Sequence, residues 1–128
     1  VAFSQAAQLL FLRLGRLGEG YACRYLEHEQ YRILELNWRY RRTEVDIIAM
    51  EGDVMVFVEV KTRTQDYFGS PASTVEDAQQ GRLSRAAGAY MEQTGHDWEI
   101  RFDIIGVLIE ENGDYQLEHI KDAWWPGL

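Results

Sequence analysis

The chain of 128 residues has one cysteine, Cys23, so it cannot close an intramolecular disulfide or build a cysteine-based zinc site. That fits a reducing, cytoplasmic setting. No run reaches the roughly 18 apolar residues that a membrane span needs, and the most apolar stretch near the start, Leu9 to Leu14, already contains Arg13. Neither a membrane span nor a signal peptide is expected. Histidine is scarce too, and His28, His96 and His119 are too scattered for metal-ligand spacing on one element. Hydrophobic residues make up 46% and charged residues 27%, which excludes intrinsic disorder and low complexity. The length suits a single domain over residues 1–128.

Positive charge is also in short supply. Lys and Arg number 13 against 21 Asp and Glu, a formal net charge of −8. The deficit is uneven: residues 13–42 carry seven Arg against four Glu, whereas residues 92–122 carry two basic residues against nine acidic ones. Binding nucleic acid without regard to sequence requires neutralising phosphates and releasing counterions. Only the N-terminal third can supply a basic face for that.

Leu9, Leu10, Leu14, Leu17, Tyr21, Tyr25 and Leu26 recur at three- and four-residue steps, predicting an amphipathic helix within residues 4–29 with Ser4 as its cap. Gly15, Gly18 and Gly20 weaken such a helix, and mark either a break or a close approach of another backbone or a phosphate. Residues 31–40 read as a strand with one wet face. Residues 45–50 and 54–60 read as two more, joined by Glu51-Gly52-Asp53, and so short a connection makes them an antiparallel hairpin. Both are nearly continuous in Val, Ile, Met and Phe, as expected of strands covered on both faces.

Residues 62–72, with Gly69-Ser70-Pro71, read as a loop. A helix is predicted over 74–94, with Val75, Leu83, Ala86, Ala87, Tyr90 and Met91 as its buried stripe and Gly95 as its stop. Strands at 99–109 and 115–120 flank the turn Glu111-Asn112-Gly113-Asp114. The order α-β-β-β-α-β-β, without internal repeats, predicts an α/β fold: a mixed sheet flanked by two helices.

Charges interrupt the apolar hairpin. Asp46 precedes Ile47-Ile48-Ala49, and the next strand reads Val56-Phe57-Val58-Glu59-Val60-Lys61. Burying a charge without a partner is costly, so three ionisable groups in core-like strands require an explanation. Side chains two apart on a strand share a face, which pairs Glu59 with Lys61 and Glu44 with Asp46. A hairpin centred on Gly52 brings Asp46 beside Glu59. Adjacent carboxylates repel unless a positive group lies between them, such as a divalent cation with Lys61 nearby. Two carboxylates and a backbone carbonyl, that of Val60, make a hard oxygen site suited to Mg²⁺ or Mn²⁺. Such an ion activates water against a phosphodiester, and Lys61 would orient that water and offset developing charge. Standing alone, Glu-x-Lys in a strand is most often a solvated ion pair; Asp46 on the paired strand is what shifts the reading.

Asp46 and Glu59-Val60-Lys61, following a helix that bears Glu19, resemble the core of the PD-(D/E)XK nuclease superfamily. More closely, the chain resembles the small bacterial YraN family, itself similar to Holliday junction resolvases. The matching stretches are Gly15-Arg16-Leu17-Gly18-Glu19, Asn37-Trp38-Arg39, Glu44 to Ala49, Val56 to Arg63 and Arg101-Phe102-Asp103, within a core of about residues 15–122. The resemblance implies a restriction-endonuclease-like fold, with Asp46 and Glu59 as metal ligands, Lys61 as the catalytic lysine and Glu19 as an additional acid. It implies cleavage of DNA, branched or distorted, and a two-fold homodimer would suit such a substrate. Two positions depart from the pattern: Thr43 stands where the family has Gly, and Gln79 where it has Lys. Phosphate contact from the second helix then falls to Gln79 and to Arg82, three residues on.

Arg16, Arg39, Arg41, Arg42 and Arg63 are further candidates for phosphate contact, Arg63 foremost because it follows Lys61 on the same face. Tyr67, Phe68 and Ser70 lie on the loop expected to overhang the site. Trp124-Trp125 are candidate packing residues or a dimer contact. The competing expectation is a nuclease-like fold serving as a nucleic-acid or protein adaptor, which the net charge of −8 and Gln79 favour.

Overall fold

A computed structural model describes residues 5–64 and 75–125, with side chains from residue 15 onward. Seven elements follow in the expected order: α1 (Gln5–His28), β1 (Arg32–Tyr40), β2 (Thr43–Glu51), β3 (Val54–Thr64), α2 (Asp77–Thr94), β4 (Ile100–Ile109) and β5 (Tyr115–Ile120). The five strands form one sheet in sequence order. All neighbours are antiparallel except β3 and β4, which run parallel and are connected through α2. A parallel pair cannot be closed by a tight turn, so α2 is the crossover that the pairing requires.

The helices cover opposite faces, which is why β2, β3 and β4 read as unbroken apolar runs. On the α1 face, Ala22 and Leu26 pack on Ile47, Ala49, Val56, Val58, Ile105 and Val107. On the α2 face, Leu83, Ala86, Ala87 and Tyr90 pack on Val45, Ile48, Phe57 and Phe102. Burying each of these larger side chains is worth about 1.5–3 kcal/mol. Gly95, at φ 73, ends α2 as a left-handed cap.

Three local expectations change. The segment from residue 62, read as loop, continues β3 through Thr64, because Thr62, Arg63 and Thr64 pair with Val107, Leu108 and Ile109. Leu17, placed on the buried stripe of α1, is 43% exposed. The helix instead approaches the sheet through small residues: Gly18 and Ala22 are buried, followed by Leu26 one turn on. α2 begins at Asp77 rather than residue 74, although Val75 just before it is buried as expected. Ser4, Tyr67, Phe68 and Ser70 lie outside the described residues.

One charged network lies within the α1 face. Asp103 is fully buried, and Arg101 grips it through Nε to Oδ1 at 2.8 Å and Nη2 to Oδ2 at 2.9 Å. The same guanidinium donates to Glu51 Oε1 at 2.7 Å and to the Tyr31 hydroxyl at 2.9 Å. His119 Nε2 lies 2.7 Å from Asp103 Oδ2, and the Tyr25 hydroxyl 2.9 Å from His119 Nδ1. With its proton on Nε2, the imidazole donates to Asp103 and accepts from Tyr25. The Asp122 N–H adds a bond to Asp103 Oδ1 at 3.0 Å. Burial alone would raise the Asp103 carboxyl, but Arg101, His119 and this N–H outweigh it and hold it below the usual carboxylate range. The network ties the end of α1 and the β2–β3 turn to β4 and β5.

Candidate functional site

The β2–β3 ladder runs from Glu51↔Val54 to Ile47↔Val58 and stops there. Its register, continued by one step, sets Asp46 opposite Glu59, as the turn arithmetic predicts. At this point the strands part, and Asp46 takes the place of the missing backbone partner: its Oδ2 accepts the Val60 N–H at 2.8 Å. The strict alternation of β2 fails at the same residue, since Val45 packs on the α2 face and Ile47 on the α1 face. Directly across β1 is Asn37, at φ 51, a conformation that Asn tolerates better than most residues. Irregular strand geometry of this kind re-aims side chains. Here it swings Asp46 into the fork between β2 and β3.

Glu59 points toward α2 and is 11% exposed. Its Oε1 carries two donors, Lys61 Nζ at 3.4 Å and Gln79 Nε2 at 3.1 Å. Gln79, named as a candidate phosphate contact, here donates its side-chain amide to an acid. Arg82, one turn further along α2, is exposed and forms no hydrogen bond or ion pair with Glu59. Glu19 reaches the fork from α1, and its two carboxylate oxygens accept from Asn37 Nδ2 at 3.2 and 3.3 Å. Arg63 Nη1 donates to the Thr62 carbonyl at 2.9 Å, and Arg16 is exposed on α1. Asp46 Oδ1 and Glu59 Oε2 make no hydrogen bond or ion pair among the described residues.

Electrostatics follow from this crowding. Burial, and then the neighbouring Glu59, push the Asp46 carboxyl up to about 8, with Glu19 and Glu44 adding to the rise against the Val60 N–H. Burial also raises Glu59, though Lys61 and Gln79 oppose the shift. Both acids are thus short of positive charge. Among the described residues no three His, Cys, Asp or Glu side chains stand close enough to hold a metal. What the fork offers is a pair of carboxylates, with Glu19 acting on both through space.

The position of Glu19 depends on Gly18. A methyl group at residue 18 would collide with Thr62 Oγ1 and lie 3.0 Å from Thr62 Cβ. Thr62 is β-branched and stiff, and its buried hydroxyl has no hydrogen-bond partner among the described residues. Gly18→Ala should therefore push α1 off β3, at a cost of about 1–3 kcal/mol by denaturant titration. Adding Thr62→Ala should recover part of that loss. If Gly18→Ala is neutral, the close approach does not position the helix.

Two of these roles were hidden from sequence reasoning. Asn37 and Gln79 lie 18 and 20 residues from the acids they hold. No local spacing joins either pair, and only the fold brings them together.

The description "Uncharacterised protein family UPF0102" matches residues 18–107, which include every acid at the fork together with Lys61, Asn37 and Gln79. The chain is 44% identical over 117 residues to a UPF0102 protein of Chlorobium chlorochromatii, covering 88% of this chain and 91% of the relative. It is 43% identical over 114 residues to one of Rhodococcus jostii, covering 88% and 97%. A relative from Bacteroides thetaiotaomicron is 44% identical over 115 residues, covering 90% and 94%. With a shared sequence running through helix, hairpin and crossover alike, the chain belongs to the UPF0102, or YraN, family.

Proposed function

We propose that this protein is a divalent-metal-dependent endonuclease of the PD-(D/E)XK kind, hydrolysing phosphodiester bonds in DNA. One observation carries the reading: two half-buried, electrostatically coupled carboxylates, both raised, occupy a fork in otherwise apolar strands. A structural ion pair would have matched them with equal positive charge. Among the described residues only Lys61 forms an ion pair with either acid, and it sits on one oxygen of Glu59.

The donor set suits Mg²⁺ or Mn²⁺, which keep several waters and take one or two protein carboxylates. Asp46 and Glu59 would hold the ion through Oδ1 and Oε2, with the Val60 carbonyl as a third donor. When bound, the ion supplies Lewis-acid polarisation of the phosphodiester and a more acidic water. The chain's own groups do the rest. Val60 and Gln79 fix the two acids without neutralising them. Lys61, 16% exposed, orients water and offsets charge developing on the phosphate. Glu19, tethered by Asn37, adds an acid that can align a water or a second ion.

Calorimetric titration of the protein with Mn²⁺, alongside a cleavage panel of junction, flap, single-stranded and duplex DNA, tests this directly. Binding of the ion and metal-dependent cleavage of at least one substrate are expected, with Lys61→Ala cleaving far less while still binding the ion. A protein that binds DNA, ignores Mn²⁺ and cleaves nothing is an adaptor, and the hydrolytic reading is then wrong.

A further inference from the structure

The β1–β2 hairpin ends in a turn that is costly to build. Arg41 is its first residue and adopts φ 57, a left-handed conformation for which Gly or Asn is the ordinary choice. A non-glycine residue there costs on the order of 1–3 kcal/mol. Arg39, Arg41 and Arg42 are all exposed, and among the described residues none of them forms an ion pair. Glu44 lies directly across from Arg39 in the ladder, yet it does not pair with it. Arg101, Lys61 and Lys121, by contrast, are each matched to an acid. In a chain of net charge −8, three unmatched arginines thus cluster at one end of the β1–β2 hairpin, one near the end of β1 and two in the turn itself.

The turn is also anchored. The Arg41 guanidinium lies over the Tyr40 ring, 5.2 Å from its centroid. Tyr40 stacks with Trp38 at 6.3 Å, and Trp38 packs edge-on against buried Tyr90 of α2 at 5.0 Å. A line of aromatic rings thus runs from the core to the tip. It sets the direction of Arg41 and leaves the guanidinium edge open to an oxyanion.

We infer that this turn is a phosphate-gripping finger for a duplex arm, and that it sets where double-stranded nucleic acid lies relative to the fork. The inference rests on the reading of the fork as a phosphodiester site. Arg41 is five residues from Asp46 along β2, about 16 Å at roughly 3.3 Å per residue. A duplex lying along β2 spans that distance in about five base pairs. The protein therefore requires a double-stranded arm of at least that length on one side of the bond it holds.

The test is fluorescence-anisotropy binding of short labelled duplexes between 50 and 200 mM salt, using Asp46→Asn as a non-cleaving background. Arg39→Gln, Arg41→Gly and Arg42→Gln are then combined, glycine being chosen to preserve the backbone at residue 41. About three phosphate contacts should vanish from the salt dependence, flattening the log–log slope by about 2.7 and weakening binding on the order of a hundredfold at 100 mM salt. Arg42→Gln alone, an exposed change with no fold to lose, should flatten the slope by about 0.9. Shortening the arm below about five base pairs should erase the difference between parent and triple variant. An unchanged slope, or equally tight capture of an acidic peptide such as polyglutamate, overturns the proposal. Mn²⁺ binding by the triple variant without Asp46→Asn should remain at the wild-type level. Absence of Mn²⁺ binding in the wild type would instead defeat the reading of the fork, independently of the finger.

Discussion

Asp46→Asn should abolish divalent-ion binding and cleavage while making the protein harder to unfold. The amide keeps an oxygen for the Val60 N–H, so the bond that closes the fork survives. What disappears is a carboxylate whose pKa is pushed from 3.8 to about 8 by burial and by Glu59. In that window the folded state holds more protons than the unfolded state, so this acid makes folding progressively less favourable as pH rises from 3.8 to about 8, and constant beyond that. Glu59 contributes in the same direction. The variant should therefore gain about 1–2 kcal/mol over the wild type at pH 8, in metal-free buffer, with a smaller gain near pH 5. Cleavage should fall by at least about a thousandfold, equivalent to about 4 kcal/mol of transition-state stabilisation. Urea melts across the pH range and initial cleavage rates measure both. A variant no more stable than wild type at any pH would mean that the acids are not in conflict.

Arg101→Ala should be the most destabilising single change in the charged network. It leaves Asp103 fully buried without its bidentate partner, and breaking such a pair from one side costs about 3–5 kcal/mol. That is a large share of a typical stability of about 5–15 kcal/mol. The pH dependence identifies the cause. In the wild type the Asp103 carboxyl is held low, so its contribution is present above the ordinary carboxylate range and is lost only as pH falls through the depressed value. Without Arg101 the same carboxyl is stranded and readily takes a proton. The deficit relative to wild type should therefore narrow from pH 8 to pH 5. A deficit that is constant with pH would assign the loss to packing rather than charge.

The hairpin and its paired acids were legible because both follow from local rules: a two-residue side-chain period and a short turn around Gly52. Counting from that turn places Asp46 opposite Glu59, and the ladder agrees as far as Ile47↔Val58. That the strands part there was not legible, because continuous apolar strands carry no sign of where their pairing ends. Arg101 and Asp103 alternate with apolar residues in the manner of a wet strand face. Their burial comes from β4 lying inside the sheet beneath α1 and beside β5, which is a property of topology rather than of the segment. Leu17 misled for a related reason. Helical periodicity identifies a stripe, but Gly18 determines which side of it can approach β3.

The placement of these bonds gives the molecule a stiff end and a loose one. Around Asp103, four elements are cross-linked by charge-assisted contacts, and amide protons there should exchange only when the whole domain opens. At the fork, the Val60 amide is held by a single side chain, and beyond the Ile47↔Val58 pair no ladder joins β2 to β3. Local opening confined to the strand ends at the fork would widen the approach to a half-buried pair of acids while the network around Asp103 stays closed.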